Sequence, residues 1–222
     1  MMKYHSRVGR VKVETVIFDW DGTMAMTLHL WLAGWKNELS NHDTELPDEH
    51  IVQDFFYEYH KTQLKYPYID MDKSAISVRD HVESGLENLT LYDHAEQAVL
   101  AVKSRDIQTA LVTSSSRPLV EKGLNIHALT DQFLSILAGD DGFGHKPSPI
   151  PFNETLKRLD ANPETTLVIG DSAADINAAH NANCQSCLFM PPENAVFQDA
   201  AYLSSLKPNF TIESLNQLVD LT

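Results

Sequence analysis

Short apolar runs alternate with longer amphipathic segments along most of this 222-residue chain. The runs have the length of buried strands, whereas the segments between them have helical spacing. Strands are predicted near residues 13–18, 107–112, 134–138, 166–170 and 186–190, with a short edge strand at 209–212. Helices are predicted near residues 94–105, 117–125, 149–160, 173–182 and 213–220. Buried strands joined by helices predict an α/β fold with a doubly wound, Rossmann-like parallel sheet.

Residues 24–90 break this alternation because their pattern is helical throughout. The predicted helices are Leu28–Ser40, Asp48–Lys65 and Ser74–Leu89. In the second of them, apolar residues recur at three- and four-residue spacing, as on one buried helix face. We therefore expect a core of residues 1–23 and 91–222, with a small all-helical domain of residues 24–90 inserted after the first strand.

The insertion is rich in aromatic residues, and two interpretations are open for them. The aromatic residues are Trp31, Trp35, Phe55, Phe56, Tyr57, Tyr59, Tyr66 and Tyr68. They either stack on the ring of a substrate or fill the thin core of a small helical domain. Trp31 and Trp35 are four residues apart, as neighbours in a helical core are, which favours packing. No substrate contact is assigned to any of them.

The charge balance excludes some classes of partner. With 17 basic and 31 acidic residues, the chain has a formal net charge of −14, which argues against nucleic acid or a membrane surface as partner. No apolar run approaches the ~18 residues of a membrane helix. The basic residues at positions 3, 7, 10 and 12 are followed by no apolar core, so we expect no signal peptide and a cytoplasmic protein.

Polar clusters follow the predicted strands or lie in the loops between them. They are Asp19-Trp20-Asp21-Gly22-Thr23, Thr113-Ser114-Ser115-Ser116, Lys146 and Gly170-Asp171-Ser172-Ala173-Ala174-Asp175. The carboxyl ends of parallel strands face one crevice, where ligands bind. Asp19 and Asp21 are expected on the same side of the chain, where their repulsion requires a metal ion or a proton.

This ordered set of motifs resembles the haloacid dehalogenase (HAD) superfamily, in its phosphatase branch. The matching motifs are Asp19-x-Asp21-Gly22-Thr23, Leu91-Tyr92, Thr113, Lys146-Pro147-x-Pro149-x-x-Phe152 and Gly170-Asp171-Ser172-x-x-Asp175. The resemblance covers the chain except the segment from about residue 24 to residue 90, where only the position of the insertion agrees. It implies that the insertion is a cap domain that closes over the site and selects the substrate.

The resemblance implies a hydrolytic role for the first two aspartates. Asp19 is assigned as the nucleophile that forms an aspartyl-phosphate, which splits one difficult displacement into two easier ones. Asp21 is assigned as the acid that protonates the leaving oxygen and then as the base that activates water. The expected substrate is a small phosphorylated metabolite.

Other residues are assigned to the phosphoryl group by the same resemblance. Thr113 donates its hydroxyl to a phosphoryl oxygen, and Lys146 supplies positive charge. The backbone N–H groups of Gly22 and Ser114 complete the phosphate site.

The expected cofactor is Mg²⁺, again by resemblance. Asp19, the backbone carbonyl of Asp21 and Asp171 hold the ion. Asp175 either binds the ion, directly or through water, or orients Lys146.

Three other functions compete with the phosphatase. A 2-haloacid dehalogenase lacks the second aspartate, so Asp21 argues against it. A sugar phosphomutase keeps Asp21 and the metal but returns the phosphoryl group to its substrate; such relatives often end the last motif in glycine, where this chain has Asp175. A catalytically idle binding protein would be free to lose the reactive groups, all of which are present. Phosphoglycolate, a sugar phosphate and a nucleoside monophosphate stay open as substrates, and the sequence does not indicate the oligomeric state.

Several residues depart from the family pattern or suggest other chemistry. After Thr23 many relatives have a hydrophobic residue and then Asp-Ser, whereas this chain has Met24-Ala25-Met26-Thr27, which puts a hydrogen-bonding position at the cap hinge in doubt. Asp106 and Asn183 replace the usual glycine after a helix, and both tolerate a left-handed backbone. Cys184 and Cys187 form a C-x-x-C that suggests a redox pair or half a zinc site. Because no matching Cys/His pair has suitable spacing, packing is the preferred interpretation.

Overall fold

A computed structural model describes residues 12–56 and 59–222, and among these the strands form one parallel sheet. The strands are β1 (Thr15–Phe18), β2 (Gln108–Val112), β3 (Ser135–Leu137), β4 (Thr166–Gly170), β5 (Gln185–Phe189) and β6 (Phe210–Ile212). Their order is β3-β2-β1-β4-β5-β6, and every adjacent pair is parallel. The chain adds β2 and β3 on one side of β1 and then β4, β5 and β6 on the other. The carboxyl end of β1 therefore lies at the switch point where α/β proteins bind ligands.

The segment between β1 and β2 begins with the predicted helical insertion. Its helices are α1 (Leu28–Asn41), α2 (Asp48–Phe55), α3 (Tyr59–Lys65) and α4 (Met71–Gly85). Trp35, Phe55 and Tyr66 stack in sequence at its centre, with ring centroids 4.9 and 5.0 Å apart. These three aromatic residues therefore fill the core of the insertion, as the packing interpretation predicts.

The two linkers of the insertion run side by side. Ala25 pairs with Leu91 in an antiparallel bridge, and the N–H of Tyr92 donates to the carbonyl of Met24 at 3.0 Å. The insertion thus leaves and rejoins the sheet-based core at a single place, next to the loop that follows β1.

The remaining helices cover both faces of the sheet. They are α5 (Ala95–Lys103), α6 (Arg117–Ile126), α7 (Ile150–Leu159), α8 (Ala173–Asn181) and α9 (Ala200–Ser205). On one face Val16 and Phe18 pack with apolar residues of α5 and α6, and on the other Ile17 packs with residues of α7 and α8. Burial on both faces explains why the central strands are mainly apolar, and the helices on both faces confirm the predicted doubly wound fold.

Trp20 lies between the two aspartates and packs into the interior. Its side chain is 1% exposed and its ring lies against Gly123 of α6. A Cβ atom at Gly123 would come within 2.5 Å of Trp20 Cζ2, so the close approach of α6 requires glycine there.

The chain departs from the predicted elements in a few places. A helix is predicted near residues 213–220, and the structure has one at Leu215–Asp220, although it is a 3₁₀ helix and not an α-helix. Leu215 and Leu218 are fully buried, and their three-residue spacing matches the three residues per turn of a 3₁₀ helix. Helix α9 was not predicted, because its short, mostly exposed sequence has no clear apolar period.

Three further predictions concern the turns after two helices, the two cysteines and the second helix of the insertion. Asp106 and Asn183 have φ values of 59° and 58°, which confirms the left-handed turns. Cys184 and Cys187 are free and buried, and burial raises the pKa of Cys184 to about 12, consistent with packing. The predicted helix Asp48–Lys65 is observed as α2 and α3, and its residues 57 and 58 lie outside the described residues.

The prediction on the N-terminal basic segment also lies outside the described residues, apart from Lys12. The side chain of Tyr59, placed in the predicted aromatic set, is likewise not among those described. In the part of the chain that is described, no helix has the length and apolar character needed to span a bilayer.

Candidate active site

Four predicted site residues meet in a buried cluster at the carboxyl end of β1. Asp19 follows β1, Lys146 lies in the loop between β3 and α7, Asp171 follows β4, and Asp175 is in the first turn of α8. The ammonium nitrogen of Lys146 is 2.5 Å from a carboxylate oxygen of Asp19 and 2.5 Å from one of Asp175. The side chains of all three of these residues are at most 7% exposed, so the ion pairs are shielded from solvent.

The three aspartates of this cluster offer a set of oxygen ligands. Asp19, Asp171 and Asp175 can each present an oxygen such that the three atoms lie within 4.8 Å of one another. Carboxylate oxygens are the ligands that Mg²⁺ and Ca²⁺ prefer. The donor set and its burial therefore fit a hard divalent cation.

The electrostatics of the cluster also fit a divalent cation. Burial raises the pKa of Asp19 from 3.8 to about 7, although the nearby Lys146 opposes the shift. Burial and the charge of Asp19 also raise the pKa of Asp171 well above its usual range. Burial by itself lowers the pKa of Lys146, but Asp175 and Asp19 outweigh it and raise that pKa. One lysine therefore leaves the negative charge of the aspartates incompletely balanced, and a divalent cation would complete the balance.

Asp175 is fixed by the start of α8. One of its carboxylate oxygens accepts hydrogen bonds from the Ser172 N–H and hydroxyl, at 3.1 and 2.5 Å, and the Ser172 hydroxyl accepts from the Asp175 N–H. This reciprocal capping box leaves the other oxygen of Asp175 directed at Lys146. Of the alternatives open for Asp175, the contact with Lys146 is present in this structure.

Asp21 lies apart from the cluster, within a group of hydrogen-bond donors. One of its oxygens accepts from the Thr27 hydroxyl at 2.7 Å and from the Trp31 indole N–H at 3.0 Å. The other accepts from the Ser115 hydroxyl at 2.6 Å and, weakly, from that of Thr113 at 3.4 Å. Asp19 and Asp21 thus adjoin one site but have different partners. Asp19 accepts from the Lys146 ammonium group and, at 3.3 Å, from the Thr23 hydroxyl, whereas the donors to Asp21 are neutral.

The sequence did not identify three of these donors. The favoured packing interpretation places Trp31 in the core, yet its indole contacts Asp21 from helix α1. Thr27 occupies the hinge position that was in doubt and supplies a hydrogen bond there. Ser115, and not the exposed Ser114, directs its hydroxyl inward. Each position contained a suitable donor, but nothing in the sequence showed which residue faces the site.

Gly22 has a different hydrogen bond from the one expected. Its N–H, assigned to the phosphate site, donates to the Ala25 carbonyl at 3.0 Å in this structure. Its φ of 77° suits glycine, and a Cβ atom there would come within 2.4 Å of an Asp171 carboxylate oxygen. Glycine at this position lets the loop after β1 approach Asp171.

The raised pKa of Asp19 predicts how the metal-free protein responds to pH. Between pH 3.8 and about 7 the folded protein holds a proton that the unfolded chain has lost, so rising pH favours unfolding across this window. We expect the free energy of unfolding in the presence of a chelator to fall more steeply over this range than in an Asp19→Asn variant. Urea unfolding at pH 4.5 and pH 7.5 measures the difference. Equal pH slopes for the two proteins would contradict the assignment.

Comparison with known proteins finds consistent matches along the chain. The family model of haloacid dehalogenase-like hydrolases matches residues 16–189. A pyrophosphatase PpaX from Bacillus cereus (strain Q1) is 28% identical over 220 residues, which is 95% of this chain and 97% of that protein. The region matched by the family model runs from β1 to the end of β5 and contains every site residue described above.

Solved structures resemble the fold at lower identity. One from Haemophilus somnus 129PT, described as a predicted phosphoglycolate phosphatase, has a TM-score of 0.79 at 18% identity and covers 96% of this chain and 99% of its own. A HAD family hydrolase from Deinococcus radiodurans R1, with bound phosphate and sodium, has a TM-score of 0.77 at 20% identity and covers 95% and 98%.

Proposed function

The chain belongs to the haloacid dehalogenase-like hydrolase family, and from this membership we propose that it is a magnesium-dependent phosphatase of a small phosphorylated metabolite. The observation that carries the proposal is the buried cluster of Asp19, Asp171 and Asp175 around Lys146. A nucleophilic carboxylate, further carboxylates for a cation and one fixed ammonium group are what phosphoryl transfer through an aspartyl-phosphate requires.

In the first step, a carboxylate oxygen of Asp19 attacks phosphorus and the bond from phosphorus to the leaving oxygen breaks. Asp21 gives its proton to that oxygen, and the phosphoryl group is left on Asp19. In the second step, water attacks phosphorus, Asp21 takes the proton from the water, and the bond between Asp19 and phosphorus breaks. Asp19 is then regenerated, and Asp21 again carries its proton.

Charge on the phosphoryl group must be stabilised for an anionic nucleophile to approach it. Lys146, held between Asp19 and Asp175, supplies a fixed positive charge. The Thr113 hydroxyl, 3.4 Å from an Asp21 oxygen, is near enough to turn toward a phosphoryl oxygen, and the backbone N–H of Ser114 is a further donor. A Mg²⁺ ion held by Asp19, Asp171, the carbonyl of Asp21 and, directly or through water, Asp175 would add electrostatic stabilisation.

We also infer that residues 24–90 are a cap over a catalytic core of residues 1–23 and 91–222. The inserted helices have a hydrophobic cluster of their own, and their two linkers are hydrogen-bonded to each other. Helix α1 reaches the site through the contact between Trp31 and Asp21. A cap so placed would contact any substrate that enters.

Water is favoured over a substrate hydroxyl as the acceptor. A mutase must bind a second phosphate, which requires further cationic groups. Arg117 is ion-paired with Asp141 beyond the Thr113 loop, and in the insertion Lys65 is paired with Asp54 at 2.6 Å. These pairings oppose the mutase, and the proposed activity is therefore hydrolysis.

The test measures released phosphate from a substrate panel with and without magnesium. The panel contains pyrophosphate and phosphoglycolate, which the names of the relatives suggest, together with sugar phosphates and nucleoside monophosphates. We expect turnover of at least one of them, with a loss of at least ~10²-fold after chelation and recovery on adding Mg²⁺. Full activity after exhaustive chelation would refute the metal requirement.

Reaction in oxygen-18 water identifies the acceptor in the same assay. We expect the phosphate released from the aspartyl-phosphate to carry one labelled oxygen, because water attacks its phosphorus. With pyrophosphate the leaving phosphate stays unlabelled, so half of the released phosphate carries the label. Isomerisation of a sugar phosphate without labelled phosphate would instead support the mutase.

A further inference from the structure

Asn194 connects three segments of the chain beside the aspartate cluster. It lies in the 3₁₀ turn Pro192–Asn194 after β5 and is 1% exposed. Its side-chain N–H groups donate to the Gly22 carbonyl at 2.9 Å and, at the longer distance of 3.5 Å, to a carboxylate oxygen of Asp171. Its side-chain oxygen accepts from the Tyr92 hydroxyl. A buried amide with all its partners in three different segments holds those segments in register.

The orientation of this amide follows from its partners. The Gly22 carbonyl and the Asp171 carboxylate accept hydrogen bonds, so the amide nitrogen must face them. The oxygen then faces Tyr92, whose hydroxyl can donate to it. Tyr92 itself is fixed by edge-to-face packing on Phe189, with centroids 5.3 Å apart at 87°. The Gly22 carbonyl and the Asp171 carboxylate therefore select the orientation of the amide, and the Tyr92 hydroxyl stabilises it by donating to the amide oxygen.

The two loops that Asn194 joins carry different ligands of the proposed cation site. One includes Asp19, and the other includes Asp171. They approach so closely that a Cβ atom at Gly22 would be 2.4 Å from an Asp171 oxygen. Gln198, from the same segment as Asn194, donates to the Asp171 carbonyl at 2.8 Å. Both the side chain and the backbone of Asp171 are thus held from the segment after β5.

We propose that Tyr92 and Asn194 are positioning residues that set the distance between the loop after β1 and the Asp171 carboxylate, and thereby the affinity of the site for its divalent cation. The proposal rests on the proposed function, since it requires a cation at this cluster. Groups that hydrogen-bond a ligating carboxylate orient it, and their loss weakens metal binding. Tyr92 belongs to the Leu91-Tyr92 motif, which has no role in the proposed catalytic steps.

The test is calorimetric titration of Mg²⁺ into the metal-free, full-length protein. Tyr92→Phe removes the hydroxyl and keeps the ring on Phe189, and Asn194→Ala removes the amide. Tyr202→Phe, at a half-exposed position, is the matched control for loss of a hydroxyl. We expect the Mg²⁺ dissociation constant to rise about 10- to 100-fold in Asn194→Ala and by a smaller factor in Tyr92→Phe, and to stay unchanged in the control.

A second measurement separates positioning from a merely structural role. If Tyr92 and Asn194 position the metal ligands, saturating Mg²⁺ restores most of the turnover of the variants. KM for the substrate then stays near the wild-type value. Dissociation constants within twofold of the wild type in the folded variants would overturn the proposal. Tyr92→Phe keeps the test available if Asn194→Ala does not fold. Failure of the wild-type protein to bind Mg²⁺ would overturn the proposed function as well, whereas equal binding by wild type and variants would overturn this inference alone.

Discussion

Replacing Asp19 with asparagine is expected to abolish turnover and to leave the protein folded. The amide keeps the shape of the side chain but is not a nucleophile, so no aspartyl-phosphate forms. We expect kcat to fall by at least about 10³-fold on the substrate identified in the panel. The fold should survive because the buried cluster has more negative than positive charges, and the change removes one negative charge from it. Lys146 also keeps Asp175 as a partner.

Steady-state phosphate release and urea unfolding together test this prediction. Asp160→Asn is the matched control, because it makes the same chemical change at an exposed, left-handed position that asparagine tolerates. The control should retain full activity. Turnover near the wild-type rate in a folded Asp19→Asn protein would show that the covalent route is wrong.

Replacing Lys146 with methionine is expected to have the largest effect on stability. Lys146 is the cation that pairs with Asp19 and Asp175, and its side chain is 5% exposed. Removing one partner from a buried ion pair costs about 3–5 kcal/mol, because the remaining charge is left buried and unpaired. We expect a loss of that size in the metal-free protein, with turnover strongly reduced because the phosphoryl group loses its fixed positive charge.

The loss should depend on pH and on the metal. Without Lys146 the aspartates bind protons more tightly in the folded state, so the destabilisation should be greater at pH 8 than at pH 5. A divalent cation should recover part of the stability. Lys157→Met, at a position where the side chain is 82% exposed, is the control and should change the unfolding free energy by less than about 0.5 kcal/mol. A Lys146→Met protein as stable as this control would contradict the proposed electrostatics.

The parts of the site that sequence predicts are those placed by strands. Asp19 and Asp171 each follow an apolar strand of the sheet, and parallel strands bring their carboxyl ends together whatever the connections between them. The same argument places Thr113 directly after β2. The six strands and the covering helices α5 to α8 could be predicted, because strands buried on both faces are mainly apolar and stand out from the amphipathic helices between them.

The parts that sequence does not predict depend on contacts between distant segments. Trp31 contacts Asp21 only because α1 leans toward the loop after β1, and an aromatic residue in an amphipathic helix has the same pattern when it packs in a core. Asn194 is one polar residue in an irregular loop, and its importance follows from the approach of Gly22 and Asp171. Among adjacent serines, composition cannot tell that Ser115 is buried and Ser114 exposed.

The packing of Trp20 against Gly123 makes the evolution of one position depend on the other. The indole fills the space that any side chain at position 123 would need. A mutation of Gly123 is therefore tolerated only in a chain whose residue between the two aspartates is already small, and a tryptophan can arise there only where the helix carries glycine. In an alignment of relatives, the two positions should covary, with a large residue at one accompanying glycine at the other. The Asp19-Trp20-Asp21 motif would then contain a residue whose identity depends on packing against α6 and not on the substrate.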